Sequence, residues 1–214
     1  MINIQKFVCN MLQENCYVVN DETRECVIID CGAFYPEERQ AIVQYIRDNQ
    51  LIPKHLLGTH GHLDHHFGDD TIYKNFGLKP EVHGGDGDMM ENMSEQAASM
   101  FGLRLDNDMP SVGHYLSAED DITFGNHHFS VIETPGHSRG GVFFYCKEEN
   151  IAFSGDTLFR NSIGRTDFSG GSMFMIIQSL RHISQLPDST IIYPGHGEET
   201  TIGQELASNP YLDR

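Results

Sequence analysis

Three histidines and one aspartate crowd into the six residues His60-Gly61-His62-Leu63-Asp64-His65, just after the apolar pair Leu56-Leu57. Imidazole and carboxylate are borderline-hard donors that suit zinc, iron or manganese, so the first chemistry to consider is metal ligation. If the preceding run is a strand, His60 and His62 project to one side, because strand side chains alternate with period two, and the next residues turn Asp64 and His65 elsewhere. Two donor pairs aimed at neighbouring places imply two metal ions. Alone, the motif is moderately specific; a solvated surface run of histidines is the bland reading of the same residues.

The elements around the cluster must position it. Residues 2–8, 15–20 and 25–30 read as strands, the third continuously apolar at Cys26-Val27-Ile28-Ile29 and ending in Asp30-Cys31-Gly32. Asp30 at such an edge is either a plain turn residue or an acceptor that orients a ligand histidine. Pro36-Glu37-Glu38 opens a helix to about Asn49, and a strand over Lys54–Thr59 follows. That β-α-β unit predicts a right-handed crossover, with the motif at a strand's carboxyl end. A short helix over 69–76 closed by Gly77 and a strand over 81–83 come next, with His83 read as structural. Residues 84–118 predict a helix over about 88–101; Met89, Met90, Met93 and Met100 read there as packing, and a mobile cover over the site is the functional reading of the segment.

From Asp121 the pattern turns β-rich. A hairpin at Gly125-Asn126 leaves His127 and His128 as solvated surface. The strand over 127–133 stops at Thr134-Pro135-Gly136-His137, and strands 142–146 and 151–153 lead to Ser154-Gly155-Asp156-Thr157. A long polar loop over 158–171 precedes a helix over 172–185 with the stripe Met173, Ile176, Ile177, Leu180 and Ile183. The strand Ile191–Tyr193 ends in Pro194-Gly195-His196-Gly197, and a short helix over 202–207 closes the chain. Four apolar strands thus each end in a small turn that presents a metal-competent side chain: His60 to His65, His137, Asp156 and His196. That repetition is far harder to obtain by chance than any single motif.

Composition limits the alternatives. At 214 residues and 39% hydrophobic, the chain can bury one sizeable core, and a single domain over 1–214 is expected. There is no signal-peptide pattern and no apolar run of membrane-spanning length, which predicts a soluble, unexported protein with no membrane partner. Five cysteines without a Cys-x-x-Cys pair exclude a disulfide framework or thiolate zinc site and fit a reducing cytoplasm. A net charge of −17 with only fourteen Lys and Arg argues against nucleic acid as a partner and favours a soluble monomer. It also discourages anionic substrates unless bound metal ions reverse the field locally.

The ordered set Asp30, His60-x-His62-x-Asp64-His65, His137, Asp156 and His196 resembles the signature of the metallo-β-lactamase superfamily, over nearly the whole chain. The resemblance implies an α/β fold, the αβ/βα four-layer sandwich: two mixed sheets face to face, helices outside, metals at one sheet edge. By position, His60, His62 and His137 would hold one metal, Asp64, His65 and His196 the other, and Asp156 would bridge them; Asp64 and Asp156 are the carboxylates assigned to catalysis. His66 has no matching role and is expected either to support a ligand from behind or to be structural. Within the superfamily, Ser154 to Phe159 followed by Ile163-Gly164-Arg165-Thr166-Asp167-Phe168 looks like the glyoxalase II and persulfide dioxygenase branch, and Pro194-Gly195-His196-Gly197 with Asn209-Pro210-Tyr211-Leu212 looks most like its short hydrolases. β-Lactamases of the common zinc class have cysteine where Asp156 stands, which sets that activity aside. Full-length glyoxalase II also has a C-terminal helical domain that helps to grip glutathione, and this chain ends about where the sandwich is complete. Ser138-Arg139-Gly140-Gly141 departs from the family's usual run after its third-motif histidine.

The expected cofactors are two divalent ions, Zn²⁺ first, with Fe²⁺ or Mn²⁺ possible. The expected activity is hydrolysis of a small-molecule thioester such as S-2-hydroxyacylglutathione, because a thiolate, with thiol pKa about 8.5, leaves without a strong general acid. Arg139, Arg160 or Arg165 would fix an anionic substrate end, although Arg165 is equally suited to ordering its own loop with Asp167. The alternatives are a persulfide dioxygenase, with one Fe(II) on His60, His137 and Asp156, and a non-catalytic metal-binding scaffold.

Overall fold

The computed structural model describes residues 1–105 and 107–212. The chain begins with β1 (Asn3–Cys9), β2 (Glu14–Asn20) and β3 (Glu25–Ile29), then crosses through α1 (Pro36–Asp48) to β4 (Ile52–Leu57). A 3₁₀ turn over Leu63–His65 follows, then α2 (Asp69–Phe76), β5 (Pro80–His83), a second 3₁₀ turn over Gly84–Asp86, α3 (Gly87–Glu91), α4 (Met93–Phe101) and β6 (His114–Leu116). These strands form one mixed sheet in the order β1-β2-β3-β4-β5-β6, antiparallel as far as β3 and parallel beyond it.

The second half supplies β7 (Asp121–Phe124), β8 (His127–Glu133), β9 (Val142–Cys146), β10 (Ile151–Gly155), the hairpin β11 (Leu158–Phe159) and β12 (Ser162–Ile163), then α5 (Met173–Ile183), β13 (Ile191–Pro194), β14 (Thr200–Thr201) and α6 (Ile202–Ser208). Its sheet runs β14-β13-β10-β9-β8-β7, with only β10 and β13 parallel.

Alternation along β3 shows how the layers arise. Val27 and Ile29 enter the core between the two sheets with Tyr17, Phe129, Phe144 and Phe153, while Cys26 and Ile28 face α1 and α2 with Ile42, Ile46 and Ile72. Ile176, Leu180 and Ile183 of α5 cover the far side of the second sheet. The result is the four-layer sandwich expected from the sequence.

Several local expectations need correction. The single helix over 88–101 is two, broken at Asn92, whose φ of −109° and ψ of 31° lie outside helical values. The polar loop over 158–171 contains the β11–β12 hairpin, and β6 and β14 carried too few alternating residues to be recognised. His127 is not solvated: its ring lies between Asp21 Oδ2 at 2.9 Å and Glu149 Oε1 at 3.0 Å, tying the β7–β8 hairpin to the turn after β2. His128 is exposed, beside Asp121. His83 is structural as expected, accepting from Gly85 N and meeting Glu133.

Candidate metal centre

The histidine motif does not sit on a strand. β4 ends at Leu57, and Gly58 to His62 form an ordered loop pinned at Thr59, whose N–H and hydroxyl both donate to the Asp30 carboxylate at 2.7 Å and whose carbonyl accepts from Val142 N at 2.9 Å. Strand alternation therefore cannot be why His60 and His62 meet. They meet because this loop and the 3₁₀ turn after it fold the two rings to 4.7 Å between centroids. Asp30 itself adopts φ 53°, a left-handed conformation that Asp tolerates at the end of a buried strand.

Three further strand ends converge on this loop. His137 follows β8, Asp156 follows β10 and His196 follows β13. His62 Nδ1 and His137 Nε2 face each other at 2.9 Å, His65 Nε2 lies 3.5 Å from oxygens of both Asp64 and Asp156, and His196 Nε2 lies 3.3 Å from Asp64. Asp156 reaches every side, with Oδ1 toward His65 and Oδ2 at 3.5 Å from His137 and 3.7 Å from His196. His60, His62 and His137 form one set of converging donors, Asp64, His65 and His196 a second, and His60, His65 and Asp156 a third that spans them.

Four of the five ligand rings are oriented from behind. His65 Nδ1 donates to Asp30 Oδ2 at 3.0 Å, His137 Nδ1 to the Arg165 carbonyl at 2.7 Å and His196 Nδ1 to the Leu12 carbonyl at 3.1 Å. Thr59 Oγ1, already donating to Asp30, accepts from His60 Nδ1 at 3.1 Å. In all four, Nε2 is left with its lone pair pointing into the cluster. His66 points away, between Asp69 Oδ2 and the His60 carbonyl, and stiffens the loop.

Among the described residues, His60 Nε2, His65 Nε2 and Asp156 Oδ1 are buried with no hydrogen-bond partner. Buried acceptors without donors are costly, and several converging on one space fit a divalent cation. Two of the histidines and both carboxylates are also in the ionic state a cation needs, whereas the adjacent carboxylates, despite burial, hold the His65 and His196 rings above the usual imidazole value until a cation takes the proton's place. Burial and the neighbouring His137 pull His62 down to about 4, and burial with the adjacent imidazoles holds His60 low, so both rings are neutral near pH 7. Despite burial, His65 and its neighbours keep Asp156 and Asp64 below the usual carboxylate range. The residues present fit a binuclear nitrogen and oxygen site without thiolate.

Of the three arginine candidates, Arg165 alone lines the cavity in front of the cluster among the described residues. Arg165 is bidentate with Asp167 at 2.6 Å and lies 4.0 Å over the Phe168 ring, so its guanidinium orders the loop while its carbonyl serves His137. Arg139 is exposed, its stem against Gly170. Arg160 pairs with Glu198.

Sequence reasoning missed four residues around the centre. Asn10 donates to the carbonyl of Asp64, Asp86 and Gln96 bind the backbone on either side of His62, and Glu14 is fully buried 3.9 Å from His65 Nδ1. Burial, with Asp30 and Asp64 adding to it and His65 opposing, pushes the Glu14 carboxyl well above its ordinary range. Only a polar residue inside a buried strand, as Glu14 is in β2, could have signalled one of them. In front of the cluster opens a cavity of about 370 Å³ walled by Leu12, Met100, Phe159, Ile163 and Phe168. A second of about 360 Å³ adjoins it, sharing His62, Met100 and Phe168 and lined by Met89 and Gln96. Met93 packs in the core as expected; Met89 and Met100 instead face these cavities.

Comparison with known proteins agrees with this geometry. The chain is 37% identical to hydroxyacylglutathione hydrolase GloC of Haemophilus influenzae over 218 residues, covering 99% of each chain. Its backbone is similar to that of the BLEG-1 B3 metallo-beta-lactamase, with TM-score 0.89 and 34% identity over 99% of this chain and 100% of the other. It is also similar to TTHA1623, solved in a di-iron-bound form, with TM-score 0.86 and 34% identity over 97% of this chain and all of the other. Residues 9–196 match the profile of the metallo-beta-lactamase superfamily, and with the converging donors and the sandwich already described the chain belongs to that superfamily.

Proposed function

We propose that this protein is a binuclear metal-dependent hydrolase of small-molecule thioesters such as S-2-hydroxyacylglutathione. The observation that carries the reading is Asp156, whose two oxygens reach toward both donor sets. His60, His62 and His137 would hold one ion, Asp64, His65 and His196 the other, and Asp156 would be shared. The GloC relative, similar over its full length, supports the hydroxyacylglutathione class.

Bound there, divalent ions supply Lewis acidity and activate a water near neutral pH. The chain's own groups do the rest. Asp30, the Arg165 carbonyl and the Leu12 carbonyl hold three ligand rings in fixed tautomers, so little reorganisation accompanies reaction. Leu12, Phe159, Ile163 and Phe168 form an apolar mouth that limits water around the reacting carbonyl. Among the described residues, no carboxylic acid or further histidine in that cavity stands free of the cluster to protonate a leaving group, which suits a thiolate. Zinc is the favoured metal; the nitrogen and oxygen donors also suit iron, as in the di-iron form of TTHA1623.

No helix among the described residues is long and apolar enough to cross a membrane, and the five cysteines are free and buried, which supports the reducing cytoplasm. We place the protein there as a single-domain monomer. A second reading, β-lactam hydrolysis, was set aside on the residue at position 156 but is favoured by the likeness to the BLEG-1 enzyme.

A three-substrate assay of the metal-loaded protein separates the readings. S-Lactoylglutathione should release thiol without oxygen uptake. Oxygen consumption with glutathione persulfide would establish the dioxygenase instead, and faster opening of a chromogenic cephalosporin would establish the lactamase.

A further inference from the structure

Among the described residues, no hydrogen bond orients the His62 ring from behind as one does the other four ligand histidines; the edge of the Phe168 ring lies 5.3 Å away between centroids. The position of His62 is set by the backbone at Gly61 and Leu63, and that backbone is gripped from the segment 84–101. The buried Asp86 accepts from Gly61 N at 2.9 Å, while Gln96 of α4 accepts from Leu63 N at 3.0 Å and donates to the Gly61 carbonyl at 3.0 Å. The same Asp86 carboxylate accepts from Ser138 Oγ at 2.6 Å and Gly140 N at 2.7 Å, gripping the loop that carries His137. The approach is close because both partners are glycine: a Cβ on Gly61 would lie 2.9 Å from Asp86 Cβ, and one on Gly140 would lie 2.7 Å from Asp86 N.

The other donor set has different supports. The Asp64 carbonyl is held by Asn10 at 2.8 Å, His65 by Asp30 and His196 by the Leu12 carbonyl.

The geometry points to Asp86 and Gln96 as positioning residues for one metal site only, the one built on His60, His62 and His137. They clamp its two ligand-bearing loops to each other and to α4, so residues 84–101 frame that site. Gln96 also lines the cavity that shares His62, so a ligand bound there presses on the same clamp. The inference rests on the binuclear reading, and it makes the two sites separable by variants that touch no ligand.

The test isolates each site and reads metal affinity by chelator competition with Zn²⁺, independently of turnover. In a His196→Ala background the remaining intact set is His60, His62 and His137; in a His137→Ala background it is Asp64, His65 and His196. Asp86→Asn should weaken Zn²⁺ at least about tenfold in the first background and less than about twofold in the second, the range expected when a ligand's supporting contact is lost. Gln96→Met, which keeps length but removes the amide, should do the same, and Gln96→Glu, which keeps the acceptor for Leu63 N, should recover part of the loss. Asn10→Ala should show the opposite pattern. Equal weakening in both backgrounds, or a lower melting temperature with unchanged affinity in both, overturns the clamp. Wild-type protein that binds no Zn²⁺ overturns the binuclear reading and the clamp with it.

Discussion

Asp156 is the residue on which the chemistry turns, because its two oxygens reach histidines of both sets. Asp156→Ala should lower thioester turnover by about three orders of magnitude, on the order of 4 kcal/mol of transition-state stabilisation, read as kcat on S-lactoylglutathione. Activity equal to wild type would overturn the shared-carboxylate mechanism. Arg165→Ala should act in the opposite manner. Its side chain pairs with Asp167 on the surface and its carbonyl does the work on His137, so kcat and KM should each change less than about threefold. A tenfold rise in KM would instead make Arg165 an anchor for substrate. The ligand types were legible in the sequence because metal chemistry restricts them to few residues at short spacings. Asp86, Gln96 and Asn10 were not, since each acts on backbone amides or carbonyls of chain segments far away in sequence.

Among the elements, the carboxyl ends of β8, β10 and β13 were readable because an apolar run stops abruptly at a glycine beside the ligand or, at His196, between two. The reason given for His60 and His62 sharing a side was wrong: the strand ends at Leu57, and a loop pinned by Asp30 does the work. The helix over 88–101 hid its break because the methionines on both sides of Asn92 and the alanines after it favour helix. At the start of α1, Glu38 accepts from Asn10 N, Phe34 N and Tyr35 N, tying the helix to the turn after β1. Glu38→Ala should therefore cost about 1–2 kcal/mol in denaturant unfolding, as for a lost helix cap. A change below a few tenths would show the turn to be held by other contacts.

At the scale of the molecule, the two sheets are fastened at the end away from the metals by Asp21, which accepts from Thr23, Asn126 and His127. Despite burial, these donors hold Asp21 below its ordinary value, and Lys74 and Arg39 do the same for Asp70. A depressed carboxylate pKa contributes stability that is full above the unfolded value near about 3.9 and is lost as pH falls through the folded one. Metal-free protein should thus lose stability below about pH 4, and Asp21→Asn should flatten that limb while lowering the melting temperature at pH 7. An unchanged acid limb would place the acid sensitivity elsewhere. The sandwich itself was legible from the order of apolar runs and crossovers; the fastening was not, because it joins residues about a hundred positions apart. The central claim, two metal sites sharing one carboxylate, is tested most directly by counting metal in the protein as purified and after loading. Two divalent ions per chain are expected in wild type; a saturating stoichiometry of one ion per chain would contradict a shared Asp156.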